Sequence, residues 1–270
     1  MPVDVHADVI SNVRLSDDYN VLTMAAPEIG ELTQPGQFVM VKAGPLPDSI
    51  LRRPFSVFEV IREGGRVRAI SILNKRAGRN TRALYALEAG GRVSCLGPLG
   101  KPFSPTVAGE AWLIAGGVGL APFATLAESL SHRQVQTTLF YGARSARELF
   151  YLEFFERLGV TTILSTEDGS RGTHGRVTIP LEQSLAQLPD AGRAMLYACG
   201  PEPMLEAVAR LAAKYRQPSE VSVERVMGCG LGGCYSCVIP VRNGSEHSHF
   251  VRACVTGPVF DGSTIVWEKC

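Results

Sequence analysis

Apolar and polar side chains alternate along the first third of the chain, as they do in half-buried β-strands. The alternation is regular in residues 3–9, where apolar side chains occupy every second position. Five further short runs share the pattern and are separated by Gly and Pro: 20–25, 37–43, 54–61, 66–73 and 92–96. The pattern predicts an antiparallel barrel or sandwich, in which only residues 80–87 form a helix that covers one opening or edge.

From Glu110 onwards, short continuous apolar runs alternate with segments of helical periodicity. Such runs suit strands that are buried on both faces of a parallel sheet. The predicted strands are 111–115, 137–141, 160–165 and 194–199, and the predicted helices are 121–131, 146–158, 180–188 and 201–215. This order predicts an α/β domain that binds its ligands at the carboxyl ends of the strands.

The chain after Pro218 is rich in Gly and Cys and has no helical period, so we expect its order to depend on a bound metal centre. The predicted fold class is therefore multidomain, β followed by α/β. An N-terminal antiparallel β-barrel is expected at 1–105, a parallel-sheet α/β domain at 106–218 and a C-terminal metal module at 219–270.

Composition and charge exclude several classes of function. The 270 residues include 27 Lys and Arg against 26 Asp and Glu, a balance of +1 that offers no broad attraction to nucleic acid or anionic lipid. Hydrophobic residues make up 45% of the chain, which suits a folded protein with a sizeable core. The start lacks the features of a signal peptide and no stretch could span a bilayer, so a soluble cytoplasmic protein is expected.

Four of the seven cysteines lie close together near the C-terminus. Cys229, Cys234 and Cys237 have the C-x4-C-x2-C spacing of plant-type ferredoxins, which hold a 2Fe-2S cluster, and Cys254 offers a fourth thiolate. The glycines among them let such a loop wrap closely around sulfide and direct backbone N–H groups towards it. A structural zinc site is the alternative, but zinc sites usually have paired short spacings, and here only Cys234 and Cys237 form such a pair.

Two motifs in the first part of the chain suit a flavin nucleotide. Arg53 opens the sequence Arg-Pro-Phe-Ser, in which the guanidinium suits a pyrophosphate and Ser56 suits the edge of a flavin ring. Taken alone, an arginine before an apolar strand is usually a solvated strand end. Thr81 lies in the first turn of the predicted helix, where its hydroxyl and the free N–H groups suit a phosphate, although a plain helix cap explains it equally.

A glycine-rich turn at 115–122 follows the first predicted strand of the α/β domain, where a nucleotide-binding turn is expected. Pro122 stands where the usual dinucleotide fingerprint has its third glycine, which disfavours a Rossmann dehydrogenase. Cys199 ends the last predicted strand beside the same crevice and is the candidate catalytic residue. Tight strand-to-helix packing would also explain the glycines, and a small buried side chain would explain Cys199. Cys95 and Cys270 have no such context and are expected to be ordinary residues.

In this order, the motifs at 53–56, 97–100, 116–122 and 199–201 resemble the ferredoxin-NADP reductase superfamily. The cysteine loop narrows the resemblance, because residues 227–237 and 251–260 are similar to the electron transfer subunits of NAD-linked, class 1B dihydroorotate dehydrogenases. The resemblance covers essentially the whole chain. It implies a flavin-binding barrel, a nicotinamide-binding domain and a C-terminal 2Fe-2S module, with FAD, a 2Fe-2S cluster and NAD as cofactors.

The resemblance also implies roles for individual residues. The metal ligands would be Cys229, Cys234, Cys237 and Cys254. The FAD-binding residues would be Arg53, Pro54, Phe55, Ser56, Ile72, Leu73, Asn74, Asn80 and Thr81. The nicotinamide crevice would be formed by Gly116, Gly117, Val118, Gly119, Cys199, Gly200 and Pro201. The chain differs from many members of the family in having Asn80 where they have Gly.

The implied function is electron transfer in pyrimidine biosynthesis. A separate FMN-containing dihydroorotate dehydrogenase catalytic subunit would oxidise dihydroorotate. This chain, within a heterotetramer, would pass the electrons through the 2Fe-2S cluster and FAD to NAD. Arg144 and Arg147 either face the 2′-phosphate of NADP or lie on an exposed helix face, and the resemblance favours NADH.

Three other functions fit the same motifs. The first is an NAD(P)H-flavin reductase that serves a ferredoxin or an oxygenase, and the second is the small subunit of a bifurcating transhydrogenase. The third is a non-enzymatic redox sensor or a zinc-stapled interaction protein.

Overall fold

The computed structural model describes residues 1–44, 50–105, 109–189, 193–242 and 248–267. Cys270, expected from the sequence to be an ordinary residue, lies outside the described residues. Within them the chain forms an antiparallel sheet, a second and mainly parallel sheet, and a two-stranded hairpin. The predicted fold class, β followed by α/β, is confirmed. No helix in the described ranges is long and apolar enough to cross a membrane.

The N-terminal part of the chain forms a seven-stranded antiparallel sheet that curls as a barrel does. Its strands are β1 (Val3–Arg14), β2 (Tyr19–Met24), β3 (Phe38–Ala43), β4 (Arg53–Ser56), β5 (Val60–Glu63), β6 (Arg66–Lys75) and β7 (Arg92–Leu99). Their order across the sheet is β4-β3-β7-β1-β2-β6-β5. The first half of β1 pairs with β7 and the second half with β2, with an irregularity between Val9 and Ser11. This change of partner bends the sheet.

One predicted strand, 54–61, is two strands in the structure because the chain turns a corner between β4 and β5. At this corner the N–H of Val57 donates to Gln37 O, and the N–H of Phe58 donates to Ser71 O. The chain therefore passes from the side of β3 to the side of β6, and no single strand can follow it.

Two helices pack on this sheet, whereas the sequence predicted one. The predicted helix is α2 (Arg79–Ala86), and the unpredicted one is α1 (Pro27–Leu32). Helix α1 has 6 residues, which is too short to display a helical period. Its Gly30 lies directly against β6, because a Cβ there would stand 2.6 Å from Val67 Cγ1.

The middle of the chain forms the predicted parallel sheet, which also contains two short strands, at 173–174 and 219–222, that the sequence did not predict. Its strands are β8 (Glu110–Gly116), β9 (Thr137–Ala143), β10 (Thr161–Thr166), β11 (Thr173–His174), β12 (Ala194–Cys199) and β13 (Ser219–Ser222). They lie in the order β11-β10-β9-β8-β12-β13, and neighbouring strands are parallel throughout. All their carboxyl ends therefore meet at one edge, where ligands are expected.

The helices of this part are α3 (Ala121–His132), α4 (Leu152–Arg157), α5 (Thr178–Gln187) and α6 (Glu202–Lys214). Three of them agree with the predicted helices, but the predicted helix 146–158 is interrupted. A turn of 3-10 helix at Ala146–Glu148 is followed by Tyr151, whose φ of 59° is left-handed and cannot continue a helix. The Tyr151 ring packs edge-on against Phe58 of the barrel, with 4.7 Å between ring centroids.

The end of the chain contains three strands that the sequence did not predict. Strands β14 (Val238–Arg242) and β15 (Ser248–Arg252) form the hairpin, and β16 (Val259–Asp261) pairs with β13 in the antiparallel direction. The order across the second sheet therefore ends in β12-β13-β16.

One apolar core joins all three parts of the molecule. Met40 and Leu99 of the antiparallel sheet, Leu196 of the parallel sheet, and Met227 and Ile239 near the cysteines belong to the same cluster of buried side chains. The cysteine segment is therefore packed against both sheets.

Candidate functional site

A cavity of about 1810 Å³ lies between the antiparallel sheet and the carboxyl edge of the parallel sheet. It is larger than the ~300–1,000 Å³ of an ordinary small-molecule site. Its wall combines strand β4, the start of α2, the glycine turn after β8, the end of β12 and part of the cysteine segment. The cavity therefore has room for a large ligand or for more than one ligand.

Strand β4 forms one wall of the cavity. All four residues of the sequence motif line the cavity: Arg53, Pro54, Phe55 and Ser56. They can therefore contact the same ligand. The guanidinium of Arg53 donates to the carbonyl oxygen of Arg52 at 3.1 Å, and no carboxylate among the described residues pairs with it. Arg53 therefore has unused donors for an anionic ligand such as a pyrophosphate.

The first turn of α2 forms the next part of the wall, with Asn80 and Thr81 among its lining residues. The hydroxyl oxygen of Thr81 accepts hydrogen bonds from the backbone N–H groups of Ala77 at 2.9 Å and Gly78 at 2.8 Å. The hydroxyl thus shapes the turn, and the backbone N–H groups of the turn are what the helix offers a phosphate.

Asn80 fixes this helix to the antiparallel sheet. Its amide nitrogen donates to Val41 O at 3.1 Å, while its side-chain oxygen is buried without a partner among the described residues. Because Val41 O can only accept, the orientation of the amide follows from this contact. The side chain of Asn80 therefore ties α2 to β3.

Ile72, Leu73 and Asn74 differ in where their side chains lie. Leu73 lines the cavity, whereas Ile72 is fully buried in the core of the antiparallel sheet and lies outside the cavity wall. Asn74 is also buried outside the wall, and its amide nitrogen donates to Asn20 at 2.7 Å and to Thr81 O at 3.0 Å. Asn74 therefore supports the start of α2 and does not face the cavity.

The turn after β8 and the end of β12 form the opposite wall, with lining residues Gly116, Gly117, Val118, Gly119, Cys199, Gly200 and Pro201. Gly119 is needed for packing, since a Cβ there would lie 2.1 Å from Cys199 O. Gly117 is different: its φ is +55° and no atom lies within 4 Å of where its Cβ would be. The backbone at Gly117 is therefore open to close approach by a ligand.

Cys199 is buried at the edge of the cavity, and burial raises the pKa of its thiol to about 12. A hydrogen bond with Ser222 lowers this pKa and only partly offsets the burial. The thiol therefore stays protonated near neutral pH and is not a nucleophile there. Cys95 is buried in the antiparallel sheet, and its pKa is likewise raised to about 12 by burial.

Glu224 is a cavity residue that the sequence did not reveal. It follows the short strand β13, which lies in the segment interpreted from its Gly and Cys content as a metal module. The side chain of Glu224 is exposed at the cavity, where partial desolvation by the surrounding residues raises its pKa and the charge of Lys75 opposes this effect. The only sequence signal that could have found it is the short run of alternating residues at 219–223, directly after the last predicted helix.

The four cysteines of the C-terminal segment lie in two pairs. The thiol of Cys234 is hydrogen-bonded to Ser236 and to Cys229, and these contacts lower the pKa of Cys234 to about 6. Cys254 is hydrogen-bonded to Cys237 and is also affected by the charge of Cys229. Two neighbouring pairs of thiols suit the two irons of a 2Fe-2S cluster, which has four cysteine ligands.

No group of three or more His, Cys, Asp or Glu side chains within the described residues is close enough to hold one metal ion.

The loop between Cys229 and Cys237 also offers backbone donors. The N–H of Leu231 donates to the Cys229 sulfur at 3.3 Å, and Gly230 and Gly232 have φ values of +74° and +81°. Such a loop can direct further N–H groups towards a negatively charged cluster. The residues present therefore fit an iron–sulfur cluster.

Comparison with known proteins agrees with this geometry. Residues 224–266 match the model of the iron-sulfur cluster binding domain of dihydroorotate dehydrogenase B, and residues 113–210 match that of the oxidoreductase NAD-binding domain. The dihydroorotate dehydrogenase B (NAD(+)) electron transfer subunit of Desulforamulus reducens is 35% identical over 263 residues, which are 97% of this chain and 98% of that protein. The same subunit of Geobacillus thermodenitrificans is 36% identical over 96% of each chain.

The chain belongs to the family of dihydroorotate dehydrogenase B electron transfer subunits. This membership confirms the predicted resemblance and the predicted function as an NAD-linked oxidoreductase subunit with a catalytic partner. The predicted iron–sulfur, NAD and flavin cofactors are supported by the two family models and by the ferredoxin-reductase fold.

Solved structures agree about the fold. An NADH-dependent reduced ferredoxin-NADP oxidoreductase, solved in work on flavin-based electron bifurcation, superposes with a TM-score of 0.84 at 26% identity. The match covers 97% of this chain and 90% of that one. The ferredoxin reductase of carbazole 1,9a-dioxygenase superposes with a TM-score of 0.66 at 22% identity, over 80% of this chain and 67% of that one.

Proposed function

We propose that this subunit accepts electrons from an FMN-containing dihydroorotate dehydrogenase catalytic subunit and delivers them to NAD. In this proposal the four paired cysteines hold a 2Fe-2S cluster, the barrel side of the cavity holds FAD, and the parallel-sheet side holds the nicotinamide. The proposed domains are an FAD-binding barrel at 1–105, an NAD-binding domain at 106–218 and a 2Fe-2S module at 219–270, and this last module also contributes β13 and β16 to the parallel sheet of the NAD-binding domain. A cytoplasmic location is part of the proposal, because free thiolates persist in a reducing compartment.

One observation carries this proposal: the cysteine segment and the flavin motif share the same cavity. Met227, Gly228 and Ser236 line it together with strand β4. On the other side of the loop, Gly230 packs so closely on the barrel that a Cβ there would lie 2.6 Å from Met40 Cγ. A cluster held by this loop would therefore be next to a flavin bound along β4, as direct electron transfer between them requires.

When bound, FAD supplies the junction between the two-electron chemistry of nicotinamide and the one-electron chemistry of an iron–sulfur cluster. The residues of the chain bind and orient the carriers. Arg53 and the first turn of α2 hold the phosphates, Ser56 bonds the edge of the ring system, and Gly117 lets the backbone approach the dinucleotide. Cys199, with its protonated thiol, acts as a packing surface beside the nicotinamide and moves no proton at neutral pH.

The preference for NADH over NADPH is part of the proposal. Arg144 lines the cavity at the end of β9, but Glu148 and Glu167 line it too. These carboxylates would repel a 2′-phosphate, whereas they can accept hydrogen bonds from the ribose hydroxyls of NAD. Arg147 lies outside the cavity wall.

The surface around the cysteine loop is where we propose that the catalytic subunit docks. Leu231, Tyr235, Phe250 and Val255 are each more than half exposed there, and Cys234 is exposed as well. Arg252 lies over the Tyr235 ring, and Phe250 shares the face of Arg252 on β15. Gly232, next to Leu231, lies against both Val255 and Arg252. A bare apolar surface at a one-electron centre suits a protein partner that brings another redox centre close.

Reconstitution tests the proposed function. The anaerobically purified chain is mixed with the FMN-containing catalytic subunit from the same source, and NAD reduction is followed after dihydroorotate is added. We expect activity from the mixture and none from this chain alone. Formation of a complex without this activity, together with electron delivery to a ferredoxin or an oxygenase, would contradict the proposal and favour a general reductase.

A variant pair tests the docking surface. Phe250→Asp is expected to weaken the complex while NADH oxidation with an artificial acceptor is unchanged. The control is Val13→Asp, which alters a similarly exposed apolar residue on β1, a strand that pairs with β2 and β7 and not with the cysteine segment. Equal affinity of the two variants for the catalytic subunit would exclude this surface as the interface.

A further inference from the structure

Two consecutive aromatic side chains connect the two sides of the cavity without lining it. Phe150 and Tyr151 lie between β9 and α4, and neither is part of the cavity wall. The Phe150 ring contacts the Tyr19 ring of β2, with 5.1 Å between centroids. The Tyr151 ring contacts the Phe58 ring at 4.7 Å. One short segment of the α/β domain therefore contacts the barrel through two rings.

On the barrel, both contacts lead to the side of the cavity that is proposed to hold FAD. Tyr19 is buried and lines the cavity. The ammonium of Lys75, which also lines the cavity, lies over the Tyr19 ring at 5.1 Å. Phe58 is fully buried and lies two residues after Ser56, the last residue of the flavin motif. A shift of either barrel ring would therefore move this side of the cavity.

The same segment is anchored to the parallel-sheet side of the cavity. The hydroxyl of Tyr141 on β9 donates to Glu148 O at 3.0 Å, and Glu148 lines the cavity. Leu149 and Leu152, which flank the two rings in sequence, are buried in the same core as strands β8 and β9. The segment is therefore part of the framework of the α/β domain, and its rings reach across to the barrel.

Tyr151 has a backbone conformation that bulky residues rarely adopt. Its φ is 59°, and its carbonyl oxygen accepts a hydrogen bond from the N–H of Phe154 at 3.1 Å as α4 begins. In a continuous helix, consecutive side chains point about 100° apart around the axis, so the two rings would face different directions. A left-handed conformation at a bulky residue persists only where its surroundings enforce it, and here the ring contacts with the barrel do so.

Hydride transfer between a nicotinamide and a flavin requires the reacting atoms to be about 3–3.5 Å apart in a defined orientation. In the function proposed above, the two groups bind to opposite sides of the cavity, so their alignment depends on how those sides are held together. We propose that Tyr151 is a positioning residue that sets the spacing between the barrel side and the parallel-sheet side through its ring contact with Phe58. The proposal rests on the proposed FAD and NAD sites and adds to them the contact that aligns them.

Three variants separate the ring of Tyr151 from its backbone and from its hydroxyl. Tyr151→Gly removes the ring and leaves a residue that accepts the left-handed backbone without strain. Tyr151→Phe keeps the ring and removes only the hydroxyl. Phe154→Leu is the matched control: it removes a half-buried ring of the same segment, whose ring neighbours among the described residues are Tyr151 and Phe155.

The first measurement is the reduction of bound FAD by NADH, followed by stopped flow in the full chain loaded with FAD and its cluster. Varying the NADH concentration separates the limiting rate from the affinity for NADH. Tyr151→Gly is expected to lower the limiting rate by about tenfold to a hundredfold, as a misplacement of about 1 Å does, while the affinities for FAD and NADH are unchanged. Tyr151→Phe and Phe154→Leu are expected to match the wild type.

Amide hydrogen exchange of the same loaded proteins gives a readout without electron transfer. Residues 57–59 are expected to exchange faster in Tyr151→Gly, because Phe58 loses the ring that packs against it. Tyr151→Phe and Phe154→Leu are expected to exchange like the wild type in these residues.

An unchanged limiting rate in Tyr151→Gly would overturn the proposal, and so would a lower rate without faster exchange at 57–59. An equal fall in Tyr151→Phe or in Phe154→Leu would overturn it as well, because the effect would then come from the hydroxyl or from a general loss of packing. Weaker binding of FAD or NADH at an unchanged limiting rate would instead make Tyr151 a binding residue. A wild-type chain whose FAD is not reduced by NADH would contradict the proposed function, and the role of Tyr151 would fall with it.

Discussion

The contact between the cysteine loop and the barrel can be tested by replacing Gly230 with Ala, which adds a single methyl group. The φ of Gly230, +74°, lies in the left-handed region, and an added Cβ would stand 2.6 Å from Met40 Cγ and 3.0 Å from Leu99 Cδ1. The left-handed backbone costs an L-residue about 1–2 kcal/mol. Overpacking of a well-packed core adds about 1–3 kcal/mol. Gly230→Ala should therefore destabilise the packing of the cysteine loop on the barrel by roughly 2–5 kcal/mol.

Gly233→Ala is the control in the same loop. A Cβ at Gly233 meets no atom within 4 Å, so the same chemical change is made without a collision. The assay follows the visible absorption of the iron–sulfur cluster while urea is added anaerobically to each FAD-loaded variant. We expect Gly230→Ala to lose its cluster at a clearly lower urea concentration than the wild type, and Gly233→Ala to resemble the wild type. Coincident curves for the two variants would refute the inferred packing of the loop on the barrel.

Three further predictions concern single side chains. Arg53→Ala is expected to weaken FAD binding by about tenfold to a hundredfold, through loss of a charged phosphate contact, in a fluorescence titration of the apoprotein. Arg52→Ala, which changes a residue outside the cavity wall, should leave FAD binding unchanged. Equal FAD affinities of the two variants would show that Arg53 is an ordinary strand end. Cys234→Ser should abolish the cluster absorption while the flavin spectrum remains, and a surviving cluster would remove Cys234 from the ligands. Burial raises the pKa of Glu59 despite a hydrogen bond from Ser71, so its contribution to stability is present below about pH 4.3 and is lost as the pH rises through the folded-state value. Glu59→Gln should reduce this loss in urea midpoints measured across that range, and an unchanged pH profile would contradict the burial argument.

Sequence periodicity predicted most of the fold because most strands and helices are long enough to show it. Strands β8, β9, β10 and β12 occur where apolar runs predicted them, since strands buried on both faces must be apolar throughout. Helix α1 and strand β13 have 6 and 4 residues, and such short elements carry no clear period. The break at Tyr151 could not be predicted either, because neither its left-handed backbone nor its ring contact with the distant Phe58 leaves a mark on the local periodicity.

The residues of the candidate site likewise include some that the sequence predicted and one that it did not. The cysteine spacing identified the cluster loop because the ligands of a metal cluster lie close together in sequence. The turn at Gly117 was recognisable because it follows a predicted strand. Glu224 was not recognisable, because its place in the cavity wall and its closeness to Lys75 are set by the fold. A lone glutamate has no local signature of such a setting.

The shared core has a consequence for how this protein can be cut and recombined. Met227 and Ile239 belong to the same buried cluster as Met40 and Leu99, so the cysteine segment helps to support strands β3 and β7 of the antiparallel sheet. A truncation after Pro218 would expose that cluster to water, and a ferredoxin-like loop from another protein would have to reproduce its shape. We therefore expect chimeric proteins in this family to fold when the loop is exchanged together with its contact residues on β3 and β7. We expect them not to fold when the loop is exchanged alone.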